Sequence, residues 1–102
     1  MTRVSYEVSA TVEPELTEEF ERFMREHIPA LVATGCFRSA TFTRMAPGRY
    51  RMSYDADMRA DLDYYLAKHA ARFRAEFVAR FPSGVALDRE VGEVLQVWPG
   101  ER

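Results

Sequence analysis

Two histidines, His27 and His69, are the residues of this chain best suited to acid–base chemistry. An imidazole titrates near neutral pH, so it can accept a proton, give one up or hold a metal. His27 stands four residues after Phe23 and four before Leu31, and His69 stands three after Leu66 and four before Phe73. Both spacings put the ring on an apolar helical seam. Two readings follow for each: a catalytic acid or base, or a partly buried imidazole hydrogen-bonded to a backbone carbonyl or a carboxylate. A metal site would need a third ligand. Glu26 and Cys36 are near His27 in sequence but match no ligand spacing, so neither metal nor cofactor is expected. Cys36, the single cysteine, would need a neighbouring base to act as a nucleophile. Without one it is a small apolar filler.

A second group is polar. Ser5, Glu7 and Ser9 alternate with Val4, Tyr6, Val8 and Ala10, and Arg51, Ser53 and Asp55 alternate with Tyr50, Met52 and Tyr54. Alternation with a period of two is the mark of a strand with one face on a core. Ser5, Glu7, Ser9, Arg51 and Ser53 therefore share the other face, where they are candidates for binding a small ligand.

The elements that must position these residues repeat. Val4-Ser5-Tyr6-Glu7-Val8 opens the first half, and Met52-Ser53-Tyr54-Asp55-Ala56 recurs in the second. A strand over 2–12 leads into a helix begun at Glu13-Pro14, since proline suits the first helical turn. Its seam is Leu16, Phe20, Phe23, Met24, His27, Ile28 and Leu31. Pro29 is expected to end or kink it near His27-Ile28, with a further turn over 30–33 and Gly35 as its cap. Strands over 36–45 and 49–56 flank an Ala46-Pro47-Gly48 turn. Asp57 is expected to cap a single long second helix with the seam Met58, Leu62, Tyr65, Leu66, His69, Phe73, Phe77 and Phe81. Pro82-Ser83-Gly84 stops that helix. A last strand over 85–98 is long, and Gly92 is expected to mark a bulge or bend.

The order β-α-β-β-α-β is that of an α+β, ferredoxin-like sandwich: a four-stranded antiparallel sheet with two helices on one face. One domain over 1–102 accounts for the length of 102 residues. The composition, 47% hydrophobic and 29% charged, is that of a soluble globular chain. A net charge of −2 argues against a nucleic-acid footprint, which shows as a basic surplus. Tyr6 and Tyr54 also share the phase of the covered face, away from where an RNA-binding sheet stacks bases. A lone cysteine forms no internal disulfide and suits a reducing cytoplasm. Residues 1–13 lack a signal peptide's apolar run, and no stretch is apolar for long enough to span a membrane. The helices differ in charge: Glu13, Glu15, Glu18, Glu19, Glu21 and Glu26 mark the first, and Lys68, Arg72, Arg74 and Arg80 the second. They read as solvated faces.

Glu26-His27-Ile28-Pro29, Ala33-Thr34-Gly35, Ser39-Ala40, Tyr65-Leu66-Ala67-Lys68-His69-Ala70 and the stretch 72–81 resemble an uncharacterised bacterial DUF family across nearly the whole chain. The resemblance implies a ferredoxin-like fold in the dimeric α/β-barrel group, and so a homodimer, but no particular activity. Haem-degrading members of that group use a second-helix histidine, an asparagine on the first strand and a tryptophan. Here His69 matches the first, the first strand has no asparagine, and Trp98 falls in the last strand. Two functions are therefore expected. One is small-ligand binding or regulation on the polar sheet face. The other is a cofactor-free monooxygenase or isomerase acting on a small organic substrate, with His27 or His69 as acid or base. In a dimer the two sheets would pair face to face, and Val94, Leu95, Val97 and Trp98 would supply edge contacts.

Overall fold

The computed structural model describes residues 2–101. The elements run β1 (Val4–Val12), a 3-10 turn (Pro14–Leu16), α1 (Thr17–Val32), β2 (Ser39–Ala46), β3 (Arg49–Ala56), α2 (Arg59–Lys68), α3 (Ala70–Arg80) and β4 (Val85–Glu93). The sheet order is β2-β3-β1-β4, and every neighbouring pair is antiparallel. This is the ferredoxin-like arrangement, with three helices rather than two. The two similar stretches pair with each other: Val4 lies opposite Ala56, and Tyr6 opposite Tyr54.

The alternation of β1 and β3 is obeyed throughout. Val4, Tyr6, Val8, Ala10 and Val12, with Tyr50, Met52, Tyr54 and Ala56, are buried under the helices. Phe20, Met24, Ile28 and Leu31 of α1, Leu62 and Tyr65 of α2, and Ala70, Phe73 and Phe77 of α3 close the core from above. Phe20 and Leu62 have no exposed surface. Burying such side chains contributes roughly 1.5–3 kcal/mol each, which makes this layer the main source of stability.

Five sequence expectations are corrected. Pro29 does not end α1, which continues to Val32. Ile28 and Leu31 flank the proline and both are buried, and the Ala33 N–H closes onto the Pro29 carbonyl at 2.9 Å. Packing near a helix end outweighs the lost hydrogen bond. The second helix is two. His69 has φ −123° and separates α2 from α3. Tyr65 and Ala70 are buried on either side of the break, so both helices face the same core. Asp57 does not cap α2: Met58 holds the N-cap position, and the Asp57 carboxylate accepts from Arg38 at 3.1 Å. The second strand starts at Ser39, because Cys36 and Phe37 are buried in the connection before it. The last strand ends at Glu93 with Gly92 in regular register opposite Ser5, and the irregularity lies in β2 between Arg44 and Ala46.

One more ladder bond, from the Val94 N–H to the Arg3 carbonyl at 2.8 Å, extends the edge. Beyond it Leu95 is 89% and Trp98 76% exposed, so neither packs on its own sheet. No helix among the described residues is long and apolar enough to cross a membrane.

Candidate functional site

The sheet face away from the helices carries the polar set named from sequence. Glu7 lies opposite Ser53, Ser9 opposite Arg51, and Ser5 opposite Asp55. The Ser53 hydroxyl donates to Glu7 Oε1 at 3.3 Å, and Arg51 Nε stands 3.6 Å from the same oxygen. Glu7, Arg51 and Ser53 are thus one bonded cluster, with Ser5 and Ser9 beside it. Glu90 of β4 faces Glu7 directly and Asp88 faces Ser9, which makes this side of the sheet acidic.

A cavity lies on the other side, between the sheet and the helices. It encloses about 440 Å³. Its floor is Tyr6, Val8, Met52 and Tyr54 of β1 and β3, and its roof is Met24, His27 and Leu31 of α1 with Phe73, Phe77 and Val78 of α3. Val85, Leu87 and Arg89 of β4 form one wall. The cavity exists because the helices cover β4 less than the other strands. Val85 and Leu87 are only half-buried, and Arg89 and Val91 are exposed although they share the inward phase.

His27 reaches this cavity and His69 does not. The His27 ring stacks on Phe23 at 4.9 Å and meets Phe73 edge-on at 5.5 Å. Burial pushes its pKa down, and the nearby Glu76 carboxylate only partly opposes this. A neutral imidazole in an aromatic pocket can accept a proton at neutral pH. Among the described residues it makes no side-chain hydrogen bond of the kind a purely structural histidine would show. His69 sits at the α2–α3 break beside Tyr64 and Tyr65, with its carbonyl accepting from the Arg72 N–H at 3.2 Å. Cys36 is buried, and its N–H donates to the Thr34 hydroxyl at 3.3 Å.

Of the cavity's polar groups, Arg74 and Arg89 are the ones sequence reasoning passed over. Arg74 Nη2 donates to the Tyr6 hydroxyl at 3.3 Å. Burial pushes the Tyr65 hydroxyl up to about 12; the neighbouring Tyr6 adds to this, and the guanidinium groups of Arg74 and Arg89 pull against it. Both cations line the same cavity as that phenol. Burial raises Tyr54 strongly as well. The Tyr54 and Tyr65 phenols stay protonated and can donate or accept hydrogen bonds. In sequence Arg74 reads as one of the solvated charges of the second helix. Arg89 carried a usable signal: it falls in phase with Val85, Leu87 and Val91, a charge where the alternation asks for an apolar residue.

A second cleft, of about 390 Å³, lies at the other end of α1 beside Glu21, Arg44 and Tyr50. Its polar groups bond one another. Glu21 Oε2 accepts from Arg44 Nη2 and from the Tyr50 hydroxyl, each at 2.6 Å. Among the described residues, no group of three or more metal-binding side chains converges.

Residues 3–95 match the sequence model of a family described as a domain of unknown function, DUF4286. No curated protein matches the chain. Among solved structures, a dimeric ferredoxin-like protein from an uncultured marine organism superposes with a TM-score of 0.81 at 14% identity, covering 96% of this chain and 100% of that one. A protein of unknown function from Nitrosomonas europaea gives 0.72 at 16% identity, over 100% and 98%. Rv0793 from Mycobacterium tuberculosis gives 0.69 at 18% identity, over 93% and 97%. These likenesses establish the fold.

Proposed function

The chain belongs to the DUF4286 family, whose function is unknown, and from that premise we propose that it is a single-domain, small-ligand binding protein acting as a homodimer. The cavity between helices and sheet carries this reading. Its volume, about 440 Å³, falls within the roughly 300–1,000 Å³ typical of ligand pockets, and a mostly apolar lining with a few convergent polar groups is the usual composition of such sites. The dimer has separate support. One sheet face is bare of helices, and a protein of the same fold is described as dimeric. Stacked sheets would place Ser5, Glu7, Ser9, Arg51 and Ser53 in the space between protomers. The reading gives His69 no role.

The test is calorimetric titration of small aromatic probes into wild type and Val78→Trp. Val78 lines the cavity yet is 61% exposed, so an indole there closes the cavity with little cost to folding. Binding to wild type that is lost in the variant supports the site, and equal binding to both refutes it. Light scattering across a dilution series tests the dimer, and a monomer at all concentrations contradicts it.

A second reading, a cofactor-free monooxygenase or isomerase, is favoured by one observation: His27 alone of the two histidines lines the cavity. It expects His27→Gln to keep probe affinity and to abolish turnover of a bound substrate. Unchanged turnover in His27→Gln would sink it.

A further inference from the structure

We infer that the ligand of this cavity is an organic anion, a carboxylate on an aromatic or similarly flat apolar body, with Arg74 and Arg89 holding the carboxylate. The inference rests on the cavity being the binding site. Arg74 and Arg89 come from different elements, α3 and β4, and meet at one cavity. Among the described residues neither forms an ion pair, as is also true of Arg3, Arg22, Arg49 and Arg72, but of these six arginines Arg74 and Arg89 are the two that line the cavity. The one hydrogen bond Arg74 makes here is to the Tyr6 hydroxyl, at 3.3 Å. That leaves most of its five donors free.

The position of Arg89 is the second observation. Its register partner on β1 is Val8, and its neighbours in phase are Leu87 and Val91. A guanidinium there gives up apolar contact that a leucine would make, and it has no internal partner to compensate. Two unpaired guanidinium groups beside an aromatic enclosure match a planar carboxylate, which accepts paired N–H donors and leaves its apolar body to the rings. The rest of the cavity is largely apolar, with the rings of Phe73 and Phe77 above and Tyr6 and Tyr54 below set among aliphatic side chains such as Met24, Leu31 and Met52. A multiply charged phosphate would gain from the arginines but nothing from those rings. A neutral hydrocarbon would leave the arginines idle.

The experiment compares 2-naphthoate with its neutral isostere 2-naphthamide by calorimetry, in wild type and in Arg74→Met/Arg89→Met, with thermal melting to show that the double variant folds. Hydrogen bonds to charged groups imply a preference for the carboxylate of roughly ten- to a hundredfold. The double variant should bind both probes alike. Equal affinity of wild type for the two probes overturns the anion assignment and leaves the cavity reading standing. A carboxylate preference that survives the double substitution also overturns it, because other groups then hold the anion. Failure of both probes to bind wild type removes the anion assignment and the cavity reading together.

Discussion

Arg89 lies directly across from Val8 on the helix-side face of the sheet, a guanidinium paired in register with a buried valine. The inward residues of β1 from Val4 to Val12 are otherwise matched on β4 by Val85, Leu87, Val91 and Glu93, so the apolar pattern fails at Arg89 and again at the strand end. The core does not ask for a cation there. Arg89→Leu should leave stability unchanged or raise it by up to about 1 kcal/mol, through apolar area gained at a half-covered site. Affinity for a carboxylate probe should fall in the same variant. Urea unfolding alongside calorimetry checks both, and a loss of more than about 1 kcal/mol would show that Arg89 serves the fold.

Glu21 ties α1 to the β2–β3 hairpin through Arg44 and the Tyr50 hydroxyl, both at 2.6 Å. Hydrogen bonds from Arg44 and then Tyr50 hold its carboxyl below the usual carboxylate range. A folded-state pKa below the unfolded value near 4.5 gives stability that is complete above about pH 4.5 and is lost as pH falls through the folded pKa. Glu21→Gln should therefore flatten the acid limb of the stability profile, and Tyr50→Phe should cost about 1 kcal/mol at neutral pH. Chemical denaturation from pH 3 to pH 7 measures both. An acid limb unchanged in Glu21→Gln contradicts the pairing.

How much of this was legible in the sequence varied by element. β1 and β3 were plain, because each alternates cleanly and buries only one face. The break at His69 was not, because no glycine or proline marks it and the apolar spacing runs on through it. Pro29 misled for the opposite reason: a strong local breaker was overruled by Ile28 and Leu31 on either side. The cavity escaped notice because its arginines, Arg74 and Arg89, look like surface charge when counted, and only the phase of Arg89 sets it apart. His27 and His69 were indistinguishable in their seams. Tertiary placement separates them, one on the cavity and one at a helix junction.

His27 should leave a signature near neutral pH. Burial lowers its pKa from the ordinary 6.5, with Glu76 opposing. The unfolded chain therefore takes up this proton first, and stability falls as pH drops from about 6.5 toward the folded pKa. His27→Leu should remove that slope while keeping the apolar packing against Phe23 and Phe73. Melting temperatures from pH 5 to pH 8 read the difference. A wild-type curve no steeper than the variant's would mean that His27 is not desolvated.

Gly48 tests the hairpin that carries β3 beneath the helices. Its φ is +75°, and an added Cβ would stand 2.8 Å from the Val12 carbonyl oxygen, a backbone atom. The Val12 N–H donates to the Gly48 carbonyl at 2.7 Å, so neither segment can move freely. Gly48→Ala should cost about 2 kcal/mol or more from strain and crowding together. A variant as stable as wild type in urea would show that the corner yields.

The most direct measurement of the central claim is a methyl NMR titration with 2-naphthoate, because strand methyl groups report which face of the sheet is touched. The account predicts shifts at Val8, Leu31, Val78, Val85 and Leu87, which line the cavity. It predicts none at Thr11, Thr41 and Thr43, whose register places them on the opposite face. Shifts confined to the threonines would move the site to the polar face of the sheet, and the cavity would then be packing space alone.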